Sequence, residues 1–182
     1  MSAITIRAIA AADLPDVVAM VHELALYERA PEDCHLTVDQ LATALFGDRP
    51  ALYGHVAADA DDRPVGFALW FLNFSTWRGV HGIYLEDLYV RPSARGGGVG
   101  GALLAELARV CVERGYARLE WWVLDWNTPA REVYQAVGAQ ALTEWVPYRL
   151  DGEALAELGG RAAIRQSGRS VSRGAPPAPT AP

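Results

Sequence analysis

The chain has 182 residues, of which 51% are hydrophobic, and its 16 basic residues, all Arg, are outnumbered by 22 acids. This length suits one well-buried domain better than two. No apolar run approaches the roughly 18 residues that a membrane helix needs, and the first residues lack the basic leader and apolar core of a signal peptide. We therefore expect a cytoplasmic protein without membrane contact.

The net charge of −6 is distributed unevenly. Residues 161–182 carry +4, which leaves −10 on the preceding 160. An acidic body disfavours a nucleic-acid groove and allows a cationic partner, although a solvated acidic surface explains the charge equally well. The two cysteines, Cys34 and Cys111, match no metal-ligand spacing and are far apart in sequence, so neither a metal site nor a disulfide is expected.

The first half of the chain predicts alternating strands and helices. Asp13, with Pro15 in the first turn, predicts the start of a helix that runs to about Glu28, and Thr37 predicts the cap of a second, shorter helix. Strands are expected where apolar and polar residues alternate or where apolar runs are bounded by turn residues, at Ile4–Ile9, Leu52–Ala58 and Val65–Phe74.

The second half continues with a strand at Gly82–Val90, a helix from about Gly98 to Arg114, and an apolar strand at Leu119–Leu124. Asn127 and Pro129 predict the start of a further helix that ends at Gly138. A last strand is expected at Trp145–Leu150, followed by a short helix. This order predicts a mixed α/β sheet with an antiparallel meander in its middle, flanked by helices.

We assign residues 1–160 to this single domain. Residues 161–182 are rich in Arg, Pro and Ala and contain almost no large apolar side chains, so they predict a disordered tail.

A glycine-dense loop lies between the Gly82–Val90 strand and the next helix, and it predicts an anion site at that helix N-terminus. The Walker loop requires a Lys, which the chain lacks. Gly96-x-Gly98-x-x-Gly101, with Glu120 about 20 residues on, satisfies the dinucleotide fingerprint, but a meander rather than a parallel array precedes it. A third pattern, Arg/Gln-x-x-Gly-x-Gly/Ala, is satisfied by Arg95, Gly98 and Gly100.

The third pattern resembles the acyl-CoA loop of the GNAT superfamily of N-acetyltransferases. The resemblance extends from Ile4 to about Leu158 and is closest to the spermidine/spermine and thialysine branch. Its pieces occur in order, at Ala11-Ala-Asp13, Glu23-Leu-Ala-x-Tyr27-Glu28, Tyr84-Leu-Glu-Asp-Leu88, Arg95-Gly-x-Gly-x-Gly100 and Trp126-Asn127-x-Pro129-x4-Tyr134.

The resemblance implies a GNAT-like sheet whose parallel fourth and fifth strands splay apart to form the CoA cleft. It implies acetyl-CoA as the acyl donor and no metal. The backbone of three strand residues would pair with the pantetheine arm, the loop amides would hold the pyrophosphate, and a helix cap would add contacts. These donor-site residues are Leu88, Tyr89, Val90, Arg95, Gly96, Gly97, Gly98, Val99, Gly100, Gly101, Asn127 and Ala130.

The resemblance also implies that Tyr134 is the general acid to the CoA thiolate, although its helical spacing alone predicts a core tyrosine. A primary amine must lose a proton before it reacts, and Glu86 is the candidate base. Strand alternation places Glu86 and Asp87 on opposite faces, so that one of them should face the cleft. Tyr27 and Glu28 match positions that line the amine site. Glu120 stands where a His is expected, which leaves the substrate open among diamines, polyamines and lysine-like amino acids.

Two other functions remain compatible with the motifs. A non-catalytic acyl-CoA-sensing domain would keep the loop but could dispense with Tyr134 and Glu86. A protein N-acetyltransferase would need an open peptide groove, whereas clustered aromatic residues predict a covered homodimer surface, with Trp70, Phe71, Phe74, Trp77 and Trp145 as its candidates.

Overall fold

A computed structural model describes residues 4–167, with side chains up to residue 161. Its centre is a five-stranded mixed sheet in the order β1 to β5. The first four strands are antiparallel, and β5 runs parallel to β4 through the pairs Ile83 with Leu119 and Tyr84 with Glu120. The expected mixed α/β sheet is confirmed. Its strands are β1 (Thr5–Ala8), β2 (Tyr53–Ala58), β3 (Pro64–Ser75), β4 (Val80–Val90) and β5 (Leu119–Glu120).

The described residues form five α-helices, α1 (Leu14–Tyr27), α2 (Val38–Phe46), α3 (Val99–Arg114), α4 (Thr128–Ala136) and α5 (Gly152–Ser167). The Thr37 side chain caps α2 by accepting from the Gln40 amide, as expected. Asp13 precedes α1, but its carboxylate accepts from Arg7 and from the Ala10 amide and does not cap the helix.

Helices cover both faces of the sheet. Neighbouring residues along a strand point to opposite faces, so the strands contribute side chains to two separate cores. One core contains Ala57, Ala68 and Trp70 together with the apolar stripe of α3. The other contains Val56 and Phe67 together with the apolar residues of α1 and α2. The helix α3, which follows the glycine loop, is therefore fixed to the sheet by a continuous buried stripe, at Val99, Leu103, Leu104, Leu107, Val110 and Cys111.

Two strand predictions are wrong in extent or existence. The fifth strand stops at Glu120 instead of Leu124 because the following residues line an open cleft rather than pair with β4. Residues 145–150 are not a strand. Pro147 stands in the middle of that segment, and a proline cannot donate to a sheet ladder.

The chain divides into two compact units, with the boundary between Gln140 and Ala141. In the second unit α5 reaches Ser167, seven residues into the segment assigned to a disordered tail. Good helix formers such as Ala, Leu and Glu dominate its sequence and outweigh Gly159 and Gly160. The rest of the predicted tail, 168–182, lies outside the described residues. No helix in the described part of the chain has the length and apolarity to cross a membrane.

Candidate active site

A cleft of about 580 Å³ opens within the first unit. It is bounded by the end of α1, the second half of β4, the glycine loop, the segment after β5 and α4. The structure brings sixteen of the expected site residues to its walls, Tyr27, Glu28, Glu86, Asp87, Leu88, Tyr89, Val90, Arg95, Gly96, Gly98, Val99, Gly100, Gly101, Asn127, Ala130 and Tyr134. Two expected residues, Gly97 and Glu120, do not line it.

The glycine loop forms one end of this cleft. Gly96 and Gly98 have φ of +81° and +78°, a backbone conformation that favours glycine, and α3 begins directly after Gly98. No side chain caps the N-terminus of α3 at Gly98. A Cβ atom added to Gly96 or Gly98 would have no neighbouring atom within 4 Å. Free amides at a helix N-terminus beneath open space fit a phosphate-bearing ligand.

Arg95 lies at the entrance of the loop, as expected, but its side chain is folded back. Its Nε donates to the Val90 carbonyl oxygen at 2.8 Å. Its guanidinium carbon lies 5.5 Å from the Tyr27 ring centroid and 5.4 Å from that of Tyr89, which are cation–π distances. The positive charge therefore sits between the strand and α1 and is not extended over the loop.

A β-bulge in β4 determines where the two acids of that strand lie. Asp87 is opposite Leu69 and Leu85 is opposite Trp70, so Glu86 is the extra residue without a partner in β3. A bulge interrupts the alternation of side chains. Both Glu86 and Asp87 line the cleft.

Two carboxyl groups at this end of the cleft, those of Asp87 and Glu28, have raised pKa values. Burial, followed by the nearby charges of Glu86 and Glu28, raises the pKa of Asp87 to about 6. Partial desolvation also raises the pKa of Glu28. A carboxylate with a pKa of about 6 can accept a proton and remain largely ionised at pH 7.

Tyr134 lies on the opposite wall, on α4. Asn127 caps this helix, since its Oδ1 accepts from the Ala130 amide at 3.4 Å, and Pro129 occupies the first turn. Tyr134 follows Ala130 by one turn and is partly buried against the edge of Trp121, with ring centroids 4.9 Å apart. Burial, followed by the charge of Glu28, raises the pKa of the Tyr134 hydroxyl, which keeps the phenol protonated at neutral pH.

Glu120 is not part of this site. Its carboxylate accepts from Asn73 Nδ2 at 2.7 Å and lies 2.8 Å from the Arg118 Nε. The residue belongs to the portion of β5 that pairs with β4, opposite Tyr84, and its side chain reaches Asn73 on β3. The predicted role of Glu120 in substrate binding is therefore not supported by its position.

The expected aromatic dimer surface is also only partly present. Trp70 is buried, stacked on Tyr53 at 4.6 Å and bonded through Nε1 to His55 Nδ1 at 3.2 Å. Trp77 is 94% exposed and Phe74 is 50% exposed, so these two remain available to a partner.

An apolar portion of the cleft wall was not predicted. Trp122, Val123 and Leu124 line the cleft, although the sequence predicts them as part of the strand Leu119–Leu124. The nearest signal in the sequence is the helix start at Asn127 and Pro129, which limits how far the preceding strand can extend.

Comparison with known proteins identifies the family. Residues 18–139 match the model of the acetyltransferase (GNAT) family. A thialysine N-epsilon-acetyltransferase from Bos taurus is 36% identical over 171 residues, covering 88% of this chain and all of the relative. An L-ornithine N5-acetyltransferase from Arabidopsis thaliana is 29% identical, covering 82% and 85%.

Among solved structures, an integron cassette protein from the mobile metagenome of V. cholerae is 28% identical with a TM-score of 0.72, covering 87% of this chain and 98% of that one. The fold and the sequence motifs thus lead to the same family. The chain belongs to the GNAT family and is an acetyltransferase that acts on amines.

Proposed function

We propose that the protein transfers the acetyl group of acetyl-CoA to a primary amine of a small cationic molecule by direct attack in a ternary complex. The observation that carries the proposal is the cleft itself, which joins an anion-binding loop to a group of carboxylates and a protonated tyrosine. The substrate class is a lysine-like amino acid, a diamine or a polyamine. The similarity to relatives named for thialysine and L-ornithine supports the first of these.

The donor would occupy the loop end of the cleft. The amides from Gly96 to Gly101, at the N-terminus of α3, would hold its pyrophosphate, because the helix dipole and the uncapped N–H groups favour negative charge there. The backbone of Leu88, Tyr89 and Val90, which line the cleft, would pair with the pantetheine arm. When bound, acetyl-CoA supplies an acyl thioester that an amine can attack.

The acidic end of the cleft would bind the acceptor. An ammonium with a pKa of about 10.4 gives up its proton at pH 7 at a cost of about 4–5 kcal/mol. We assign the proton acceptor to the pair Glu86 and Asp87, of which Asp87 has the raised pKa of about 6. The raised value narrows the pKa gap to the amine by about 2 units, or roughly 3 kcal/mol, relative to an ordinary aspartate.

Tyr134 would complete the reaction. The Glu86 and Asp87 pair first takes one proton from the bound ammonium and releases it to solvent. The new N–C bond then forms as the C–S bond breaks, the leaving thiolate takes the phenolic proton of Tyr134, and the second nitrogen proton passes through the pair to solvent. Solvent returns a proton to Tyr134, so that the net products are an amide, CoA and one proton. No covalent bond to the protein forms, and neither cysteine is required.

An assay of CoA release across lysine analogues, diamines, polyamines and aminoglycosides, repeated with Tyr134→Phe, tests this function. The substitution should lower kcat by about 10²–10⁴ and leave the Kd for CoA within twofold. Tight CoA binding without turnover of any amine would favour a sensing domain, and turnover of peptides alone would favour a protein N-acetyltransferase. Undiminished turnover by the Phe variant at every pH would remove Tyr134 as the acid.

The pH profile identifies the base. If the pair accepts the proton of the bound ammonium, kcat/KM should rise through about pH 6 and then stay flat until the amine itself titrates. Asp87→Asn and Glu86→Gln are the matched variants. The base is the residue whose replacement makes kcat/KM rise steadily with pH instead of reaching a plateau. A plateau that survives in both single variants and in the double variant contradicts the assignment.

Glu28 is proposed to attract a second cationic group of the acceptor. Glu28→Gln should raise KM about tenfold for diamines and change it less than twofold for monoamines. An equal effect on both classes would contradict this role.

We also propose that the protein acts in the cytoplasm as a homodimer, for which the exposed Trp77 and Phe74 offer an apolar contact surface. Light scattering after size exclusion gives the mass, and Trp77→Ser should lower it if this surface is used.

A further inference from the structure

The helix that carries Tyr134 is held by few contacts. In α4 only Ala130 and Tyr134 are partly buried, and the other residues of the helix are exposed. A short helix without a buried stripe depends on its ends for its position. The placement of the Tyr134 hydroxyl therefore depends on how the N-terminus of α4 is attached.

A side-chain hydrogen bond attaches that N-terminus to α1. The Tyr27 hydroxyl donates to Asn127 Oδ1 at 3.1 Å, across 100 residues of sequence. The same oxygen accepts from the Ala130 amide. The Tyr27 ring also packs against Trp126, with centroids 5.7 Å apart, so that both residues before α4 contact the end of α1.

The other partner in this bond, α1, is firmly anchored. Val17 and Met20 are fully buried in the core. Arg91, just after β4, donates to Asp16 at 3.1 Å and to Glu23 at 3.2 Å, which ties the outer side of α1 to the sheet. Tyr27 thus extends from a rigid helix to a weakly held one.

We propose that Tyr27 is a positioning residue for the reaction, whose hydroxyl fixes the N-terminus of α4 through Asn127 and thereby holds Tyr134 at the acyl group. This inference rests on the proposed function and deepens it, since it gives Tyr27 a role that acts through Asn127 rather than on the amine. The Tyr27 ring is separately engaged with Arg95 at the donor loop. Tyr27→Phe keeps that ring and isolates the hydroxyl.

The test is a double-variant cycle of Tyr27→Phe and Asn127→Ser. Serine retains a hydroxyl that can cap α4, but its side chain is too short to keep the bond to Tyr27. Each single variant should lower kcat about tenfold and leave the KM for acetyl-CoA within twofold. The double variant should be no slower than either single variant, because both changes break the same bond.

Hydrogen exchange of the ligand-free protein provides a readout independent of activity. The amides of residues 128–136 should exchange about fivefold faster in Tyr27→Phe, in Asn127→Ser and in the double variant alike. Tyr148→Phe, which changes a side chain that is 92% exposed, is the matched control and should change neither kcat nor exchange.

Multiplicative losses, with the double variant about a hundredfold slower, would overturn the inference and place Tyr27 directly on the substrate. Unchanged exchange in Tyr27→Phe would overturn it as well. If the exchange rates are non-additive but no amine is turned over, the attachment of α4 through Tyr27 is supported and the proposed function is refuted.

Discussion

Replacing Asp87 with Asn should make the protein more stable at neutral pH. The folded pKa of about 6 lies above the ordinary value of 3.8, so folding disfavours the charged carboxylate. A difference of about 2 units corresponds to about 3 kcal/mol, and partial solvent access reduces this, so we expect a gain of about 1–3 kcal/mol. For a chain of this size that gain raises Tm by roughly 3–9 °C.

The pH dependence of this gain follows from its sign. Because the folded pKa is raised, the wild-type protein loses stability as pH rises from about 4 to about 6, and the loss is constant above that range. The advantage of Asp87→Asn should therefore be full at pH 7.5, roughly half as large at pH 5 and small near pH 4. Thermal unfolding followed by circular dichroism at these pH values measures it.

Asp61→Asn is the matched control, since it makes the same chemical change at an exposed turn and should alter stability by less than about 0.5 kcal/mol. A variant of Asp87 that is less stable than wild type at pH 7.5, or equally stabilised at pH 7.5 and pH 4, would refute the reasoning. The first result would mean that the carboxylate is paired, and the second that the gain does not come from its charge.

Three further predictions concern the loop, the core and the sheet. Gly98→Ala should lower the free energy of unfolding in urea by about 1–2 kcal/mol and weaken CoA binding, because Gly98 has a φ of +78°. Gly97→Ala should change neither quantity appreciably, because Gly97 has no positive φ and open space around it. Burial lowers the pKa of His55, so the wild type should lose stability relative to His55→Gln as pH falls below about 6.5; a constant difference between pH 8 and pH 5 would contradict this. Glu120→Gln should leave KM for every amine within twofold and lower stability by at most about 1 kcal/mol, as thermal melts can measure; a large KM effect would return Glu120 to the site.

Much of the donor half of the site could be predicted from local sequence. Consecutive glycines before an amphipathic helix determine an uncapped helix N-terminus wherever the chain places them, and the Asn127–Pro129 start of α4 likewise depends on neighbouring residues. The same holds for the end of α3, where Gly115 adopts φ of +66°. These features depend on backbone chemistry within a few residues.

The acceptor half depended on contacts between distant segments. Strand alternation alone puts Glu86 and Asp87 on opposite faces, and only pairing with β3 reveals the bulge at Glu86 that interrupts this alternation. The raised pKa of Asp87 arises mainly from burial, to which the charges of Glu86 and of the distant Glu28 add. Trp70 and Glu120 were misplaced for the same reason, because their partners His55 and Asn73 lie on other strands of the sheet.

The sequence by itself determined the family, most of the elements, the glycine loop and the tyrosine helix, because each is encoded by residue type and spacing over short distances. The tertiary structure alone decided which carboxylates share the cleft, that Glu120 is excluded from it, and that Tyr27 reaches Asn127 from 100 residues away. Hydrogen bonds and desolvation act through space, and their partners are set only once the strands have paired and α1 and α3 have packed on the sheet.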